Sequence, residues 1–208
     1  MNRILQYLNP NTVRYWDRKY LGKIDRSAVR TDGSHLDKFM PIFQRSSTIL
    51  DFGAGLGGNV QYLAGMLENR HFHLVDHSEV SLQFGREQLL GEKDNRGNSF
   101  SYHPDLSTVP GDSVDLVISI EVLEHITSYK ACLDQLWGRL KSGGILLVSV
   151  PVKGFRDRNR EHVNKFTLGS MFTILSGYGN MVHIAPRTYS KRSGRLSTAY
   201  FYVEKEAE

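Results

Sequence analysis

Very little in this 208-residue chain suits an oxidising or membrane-embedded setting. Its single cysteine, Cys132, excludes an intramolecular disulfide, and we expect this residue to pack as a small apolar side chain. No apolar run approaches the roughly 20 residues that a membrane-spanning helix needs. The first residues lack the apolar stretch, about 7–15 residues long, of a secretory signal. These absences predict a cytoplasmic protein without a membrane span.

Positive charge is concentrated at the two ends of the chain. The whole sequence has 26 Lys and Arg against 22 Asp and Glu, a net charge of +4. Residues 1–47 and 151–208 each carry an excess of positive charge, whereas residues 48–150 carry an excess of negative charge. This separation indicates that the ends meet an anionic partner. A nucleic acid is not favoured, because no RNA-binding module is visible.

Apolar runs typical of buried strands alternate with amphipathic segments from residue 48 onward. This alternation predicts one α/β domain at 48–208 with a doubly wound, mostly parallel sheet. Residues 1–47 are predicted to form a helical lid or acceptor-binding segment. The predicted strands cover residues 48–51, 71–76, 99–103, 114–120, 145–150, 181–185 and 198–203. The predicted helices cover residues 11–21, 34–43, 59–68, 78–90, 129–140 and 168–176.

A glycine-rich turn follows the first predicted strand. Gly53, Gly55 and Gly58 satisfy the G-x-G-x-x-G pattern of dinucleotide-binding proteins, so a nicotinamide-dependent oxidoreductase must be considered. Asp51, however, ends the strand directly before these glycines. A fixed carboxylate there repels a pyrophosphate but attracts the ammonium and sulfonium groups of S-adenosylmethionine.

Acidic residues also close the next two strands. Asp76 ends the second strand, where a carboxylate can hold two ribose hydroxyls. Asp105 follows the third strand, where it can accept a hydrogen bond from an adenine amine. Three carboxylates at one edge of the sheet favour a cationic nucleoside over a dinucleotide. A non-catalytic S-adenosylmethionine-binding subunit remains an alternative.

Five segments, correctly ordered and spaced over about residues 48–185, resemble the motifs of class I S-adenosylmethionine-dependent methyltransferases. They are ILDFGAGLGGN, HLVDHS, YHPDL, SVDLVISIEVLEHI and LKSGGILLVSVP. The resemblance implies a seven-stranded Rossmann-like fold with strand order 3-2-1-4-5-7-6 and an antiparallel last strand. It also implies S-adenosylmethionine as the cofactor. With Asp51, the cofactor-binding residues would then be Gly53, Ala54, Gly55 and Gly57 at the methionine part, Asp76 and His77 at the ribose, Asp105 and Leu106 at the adenine, and Glu121.

The candidate catalytic residues follow the fourth and fifth strands. In a helical turn Glu121, Glu124 and His125 share one face, and His162 lies beyond the fifth strand. His125 or His162 is the candidate general base, with Glu124 beside it. All four residues are also candidate ligands of a divalent cation. Similar E-x-x-E-H segments with a later histidine are associated with metal in ubiquinone-biosynthesis O-methyltransferases and small-RNA 2′-O-methyltransferases, although we favour a metal-free base.

The acceptor pocket is expected to combine Tyr15, Trp16 and Tyr20 with the loops at 153–165 and 187–195. The basic residues of these loops would clamp phosphate or carboxylate groups. They are Arg156, Arg158, Arg160, Arg187, Lys191, Arg192 and Arg195. We expect methyl transfer to oxygen, rather than nitrogen or carbon, of a small molecule, sugar or glycan with anionic groups. An RNA 2′-O-methyltransferase-like activity is the alternative.

Overall fold

The structure is a computed structural model that describes residues 11–25, 32–189 and 194–207. Helix α1 begins where the side chain of Thr12 accepts a hydrogen bond from the backbone amide of Tyr15. The described part of the N-terminal segment contains α1 (Val13–Ile24), a 3-10 turn (Ser34–Phe39) and α2 (Met40–Arg45). The expected helix at 34–43 is therefore split into two short elements.

Seven strands form one sheet in the order β3-β2-β1-β4-β5-β7-β6, which confirms the predicted order. Strands β1 to β5 are parallel, and β7 lies antiparallel between β5 and β6. The strands are β1 (Thr48–Phe52), β2 (His71–Val75), β3 (Ser99–His103), β4 (Val114–Ile120), β5 (Leu140–Pro151), β6 (Asn180–Tyr189) and β7 (Leu196–Glu204).

Helices cover both faces of the sheet. Side chains along β4 alternate between the two core clusters, with Leu116 and Ile118 on one face and Val117 on the other. Ser78 caps α4 by accepting a hydrogen bond from the amide of Ser81, as the sequence predicts. The helices of the domain are α3 (Gly58–Met66), α4 (Glu79–Phe84, continued by a π turn at Gly85–Leu89), α5 (Tyr129–Trp137) and α6 (Leu168–Leu175).

The largest differences between the observed strand boundaries and the sequence prediction lie in β5 and in the pair β6 and β7. Helix α5 stops at Trp137, before its predicted end at residue 140, and β5 already begins at Leu140, so that Gly143 and Gly144 lie inside the strand. The register shifts there, because Val114 pairs with Leu140 whereas Leu116 pairs with Ile145. Strands β6 and β7 also extend beyond their apolar runs, because backbone hydrogen bonds continue the ladder irrespective of side-chain polarity.

The described part of the N-terminal segment packs on the domain rather than apart from it. Leu36, Phe39 and Phe43 are buried in the same core cluster as α3 and β1. Helix α1 touches α4, where the hydroxyl of Ser78 donates to the Asp17 carboxylate at 2.5 Å. In the described ranges, no helix is long and apolar enough to span a bilayer.

Candidate functional site

A cavity of about 1050 Å³ opens at the carboxyl ends of β1, β2 and β4 and runs beneath α1. Its volume lies just above the range of roughly 300–1,000 Å³ that is usual for small-molecule sites. In parallel α/β sheets, ligands bind at this edge. The cavity therefore has room for a nucleoside cofactor and a second molecule beside it.

The glycine turn after β1 forms one wall of the cavity. Gly53 has a φ of +73°, and a Cβ atom there would lie only 2.5 Å from a methyl group of Val122. Gly57 has a φ of +83° and precedes α3, where it packs against leucine side chains. Both positions therefore need a residue without a side chain, and the turn exposes backbone at the cavity.

Asp76 presents its carboxylate beside the glycine turn. Its oxygens accept hydrogen bonds from the amides of Gly55 and Ser78, both at 2.9 Å, and from the Tyr20 hydroxyl at 3.4 Å. The residue is only 7% exposed yet lines the cavity. A carboxylate fixed in this way is oriented to accept hydrogen bonds from a bound ligand.

Asp51 lies beneath the same turn rather than on the cavity wall. It is 1% exposed, and one carboxylate oxygen has no hydrogen-bond partner among the described residues. Burial, and then the nearby charge of Asp76, raise the pKa of Asp51 to about 7, although a hydrogen bond with Asn59 opposes this rise.

Most of the predicted cofactor-binding residues surround the cavity. Those that line it are Gly53, Ala54, Gly55, Asp76, His77, Asp105, Leu106 and Glu121. Asp51 and Gly57 support the turn from behind. Asp105 also accepts a hydrogen bond from the amide of Ser107 at 2.7 Å, so its carboxylate caps the short turn after β3.

Helix α1 closes one side of the cavity with aromatic rings. Trp16 and Tyr20, two residues of the predicted acceptor pocket, line the cavity. The rings of Trp16 and His125 meet in a T-shaped arrangement, with centroids 5.1 Å apart. Tyr15 instead lies outside the lining and donates a hydrogen bond to the side chain of Glu161.

Glu161 joins α1 to the loop after β5. Its carboxylate accepts a hydrogen bond from Tyr15 and an ion-pair contact from Lys19 at 2.6 Å. Its backbone carbonyl accepts from the Asn11 side-chain amide at 2.7 Å. Glu161 carries no local sequence signal, because its side-chain partner Lys19 and the Asn11 amide that contacts its carbonyl lie 142 and 150 residues away.

The carbonyl of Glu161 also fixes His125. The Nδ1 atom of His125 lies 3.0 Å from this oxygen, which can only accept, so Nδ1 carries the proton and Nε2 keeps a lone pair. Burial lowers the pKa of His125 to about 4. His125 therefore lines the cavity as a neutral imidazole of fixed tautomer.

His162 is held by two polar neighbours next to His125. Its Nδ1 contacts the Asp157 carboxylate at 2.6 Å, and its Nε2 lies 2.9 Å from the Asn159 amide nitrogen. The Asn159 oxygen already accepts from the Glu161 amide, so Asn159 donates to Nε2. The rings of His162 and His125 are 4.9 Å apart, but His162 does not line the cavity.

Glu124 is buried behind both histidines. It is 1% exposed, and neither carboxylate oxygen has a hydrogen-bond partner among the described residues. Burial, followed by the charge of Glu121, raises the pKa of Glu124 to about 9. Ligand atoms of Glu124, His125 and His162 lie within 4.8 Å of one another, so three of the four candidate metal ligands converge.

Glu121, the fourth candidate metal ligand, is not part of this group, because its side chain contacts Arg187 and Ser149. Its Oε1 atom contacts Nη1 of Arg187 at 3.1 Å and accepts from the hydroxyl of Ser149, also at 3.1 Å. Its backbone has a φ of +59°, a strained conformation for a non-glycine residue at the end of β4. Arg187 thus neutralises the residue that lines the cavity after β4.

The basic residues expected to clamp the acceptor are not gathered at the cavity. Arg187 belongs to β6 and pairs with Glu121. Arg156, Arg158 and Arg160 do not form an extended row, because a 3-10 turn at Gly154–Arg156 interrupts the loop, and none lines the cavity. Arg195 is likewise exposed and off the cavity wall, whereas Lys191 and Arg192 lie outside the described residues.

The sequence matches a known domain family. Residues 50–146 match the family model of a methyltransferase domain. The chain is 28% identical over 117 residues to phosphoethanolamine N-methyltransferase 2 of Caenorhabditis elegans, an alignment that covers 56% of this chain and 26% of that protein. The chain thus spans well under two thirds of the length of this curated relative.

Solved structures share the fold at low sequence identity. An S-adenosylmethionine-dependent methyltransferase from Aquifex aeolicus is 18% identical with a TM-score of 0.64, covering 88% of this chain and 97% of that one. The [4+2]-cyclase SpnF is 14% identical with a TM-score of 0.67, covering 83% and 82%. The fold alone therefore does not determine the reaction. The match identifies residues 50–146 as a methyltransferase domain, and the strand order of the sheet is that of the Rossmann-like fold of these neighbours.

Proposed function

We propose that the chain transfers a methyl group from S-adenosylmethionine to an oxygen of a small anionic acceptor, such as a metabolite, sugar or glycan intermediate. The observation that carries this proposal is the neutral imidazole of His125 on the wall of the cofactor-sized cavity. Its lone-pair nitrogen is defined by the Glu161 carbonyl. A hydroxyl acceptor needs such a base, because its proton must leave as the new bond forms.

Binding of the methyl donor would depend on the glycine turn and two carboxylates. Asp76 would hold ribose hydroxyls, and the turn from Gly53 to Gly55 would face the methionine part. The ionised form of Asp51 would attract the ammonium and sulfonium charges of the cofactor. This arrangement favours a cationic nucleoside over the nicotinamide dinucleotide that the glycine pattern alone leaves open.

The reaction then needs only alignment and one proton acceptor. The acceptor oxygen attacks the methyl carbon, the carbon–sulfur bond breaks with its electron pair going to sulfur, and the hydroxyl proton passes to Nε2 of His125. Trp16 and Tyr20 would pack against the acceptor and exclude water. Lys23, which also lines the cavity, supplies positive charge suited to an anionic acceptor.

Nitrogen is the competing acceptor atom. The name of the nematode relative describes N-methylation of phosphoethanolamine, an acceptor with an anionic phosphate. An amine acceptor must likewise lose its ammonium proton before the nitrogen lone pair can attack, and His125 is the neighbouring proton acceptor in that case too. Product identification decides between the two atoms.

The alternative to a free general base at this position is a divalent cation bound by Glu124, His125 and His162. The unpartnered, buried oxygens of Glu124 favour it, because an isolated buried carboxylate is costly without a cation or a proton. A bound cation would orient and polarise acceptor oxygens. Cation binding is opposed by one contact, because the Nε2 atom of His162 already accepts a hydrogen bond from Asn159.

Calorimetry with magnesium and manganese separates the two candidates. Binding that Glu124→Gln abolishes would support the cation and remove the case for a free base. Turnover that survives EDTA treatment, with no heat of metal binding, would support His125 acting alone.

The test of the function itself uses the full chain. We expect S-adenosylhomocysteine at a hundred times its dissociation constant to raise the melting temperature by roughly 5–10 °C. NAD at the same concentration should have no effect. Incubation with methyl-labelled S-adenosylmethionine and a metabolite extract should yield a labelled anionic product whose methyl group is on oxygen. No stabilisation by S-adenosylhomocysteine would refute the proposal.

A further inference from the structure

The loop after β5 projects a fully exposed phenylalanine. Phe155 is 100% exposed and sits in the 3-10 turn Gly154–Arg156. The turn is not loose, because the amide of Gly154 donates to the carbonyl of Phe166 at 2.7 Å and Lys153 forms a β-bridge with Thr167. A rigid turn therefore holds a large apolar side chain in water. Burial of this side chain would be favourable by about 1.5–3 kcal/mol.

Uncompensated positive charge surrounds this side chain. Lys153, Arg156, Arg158 and Arg160 are exposed, and no side-chain partner is present for them among the described residues. The two acidic residues of the same loop are already engaged, since Asp157 contacts His162 and Glu161 contacts Lys19. The loop thus presents four cations around one apolar projection.

More apolar surface lies on the helix that follows the loop. Leu168 and Phe172 on α6 are 41% and 47% exposed, and their spacing of four residues places them on one face of the helix. The hydrogen bond between Gly154 and Phe166 brings the turn alongside the start of this helix. We name the set of Lys153, Phe155, Arg156, Arg158, Arg160, Leu168 and Phe172 the basic apex.

We propose that the basic apex docks the protein on a membrane surface that contains anionic lipids. Apolar side chains that project among cations suit this surface, because the rings and leucine enter the acyl boundary while lysine and arginine meet the headgroups. Leu168 adds an aliphatic side chain to the same helix face, which an acyl boundary can bury and which the stacking of nucleic-acid bases would not use. The proposal is independent of the methyl-transfer reaction.

The interaction is measured by sedimentation of the full chain with vesicles, without cofactor or acceptor. We expect binding to phosphatidylcholine vesicles that contain phosphatidylglycerol, no binding to pure phosphatidylcholine, and a loss of binding as salt rises. Phe155→Ser should weaken binding by about tenfold or more. Each of Arg156→Ala and Arg158→Ala should weaken it by about fivefold.

Two matched variants control for general effects. Met66→Ser removes another exposed apolar side chain, and Lys93→Ala removes an exposed charge near the opposite edge of the sheet. Neither should change vesicle binding. Equal losses for these controls, or no binding to anionic vesicles, would overturn the proposal. It would also be overturned if Phe155→Ser left vesicle binding intact but abolished binding to single-stranded RNA or dissociated a dimer in light scattering.

Discussion

His125 donates its Nδ1 proton to the backbone carbonyl of Glu161 across 3.0 Å, while the side chain of Glu161 holds Tyr15 and Lys19 of α1. One residue therefore connects the candidate base with the helix that covers the cavity. The orientation of the candidate base and the position of that helix therefore depend on the same loop segment.

Replacement of His125 tests its role as the base. We expect His125→Asn to lower kcat by about 100-fold or more, because general-base catalysis contributes roughly 10²–10⁴-fold. The affinity for S-adenosylhomocysteine should change by less than about threefold. His71→Asn is the control, since His71 is half-buried on β2 and does not line the cavity. A large loss of cofactor affinity in His125→Asn would assign this residue to binding instead.

The pH profile of kcat follows from the environment of His125. Burial lowers its pKa to about 4, so the imidazole stays neutral and able to accept a proton throughout pH 6–8. At saturating cofactor, kcat should therefore show no loss from histidine protonation as the pH falls from 8 to 6, and should decline only as the pH approaches 4–5. An acidic limb centred near 6.5 would contradict this environment.

The contact between Glu161 and α1 is expected to slow cofactor exchange. Glu161→Gln keeps the backbone carbonyl that orients His125 but removes the charge that Lys19 contacts. Because partly exposed ion pairs contribute about 0.2–1 kcal/mol, we expect S-adenosylhomocysteine to dissociate roughly two- to fivefold faster. Glu68→Gln, which removes the exposed pair with Arg96, is the control for stopped-flow measurements. Equal rates in the two variants would show that α1 does not limit release.

The family resemblance implies the strand order that the structure shows, whereas local sequence signals place the glycine turn and Asp76 at the edge of the sheet where the cavity opens. Asp76 and Gly53 directly follow apolar runs, and the ends of parallel strands meet at one edge of the sheet. The position of Arg187 was wrong in the sequence prediction, since a polar strand extension is indistinguishable from a basic loop. The roles of Glu161 and Asp157 depend on contacts made only after folding.

Burial is the other property that the sequence cannot supply. Glu124 and His125 are neighbours in the chain, yet burial raises the pKa of one to about 9 and lowers the pKa of the other to about 4. Both shifts come from desolvation, which depends on the packing of distant elements. Whether His125 can act as a free base or as a metal ligand therefore depends on the tertiary structure around it.

Cofactor affinity should increase with pH through the titration of Asp51. Its pKa of about 7 in the unliganded protein means that it is mostly protonated at pH 6 and ionised at pH 8. A cationic cofactor favours the ionised form, so binding should release a proton near pH 6, detectable by calorimetry in buffers of different ionisation enthalpy. Asp51→Asn should remove this pH dependence. Proton release that persists in Asp51→Asn would identify another group.

The raised pKa of Asp51 should also affect the stability of the unliganded protein. The folded-state pKa of Asp51 lies above its unfolded value near 3.8, so its contribution to stability is fully present below that value and is lost as the pH rises through 7. At pH 8 the unliganded Asp51→Asn variant should therefore be more stable than the wild type, by up to about 4 kcal/mol. Urea unfolding at pH 5 and pH 8 measures this difference, and an equal effect at both pH values would contradict it.

We expect Gly53 to tolerate no side chain, whereas Gly65 in α3 should tolerate one. Gly53→Ala places a methyl group 2.5 Å from Val122 in a left-handed backbone conformation, so we expect a loss of roughly 2–4 kcal/mol in unfolding free energy together with weaker cofactor binding. Gly65 lies in α3 with no atom within 4 Å of an added Cβ. Gly65→Ala should therefore stabilise the protein by about 0.5–1 kcal/mol, because alanine is the better helix former. Chemical denaturation of both variants checks the pair, and a Gly53→Ala protein as stable as the wild type would show that the turn can rearrange away from Val122.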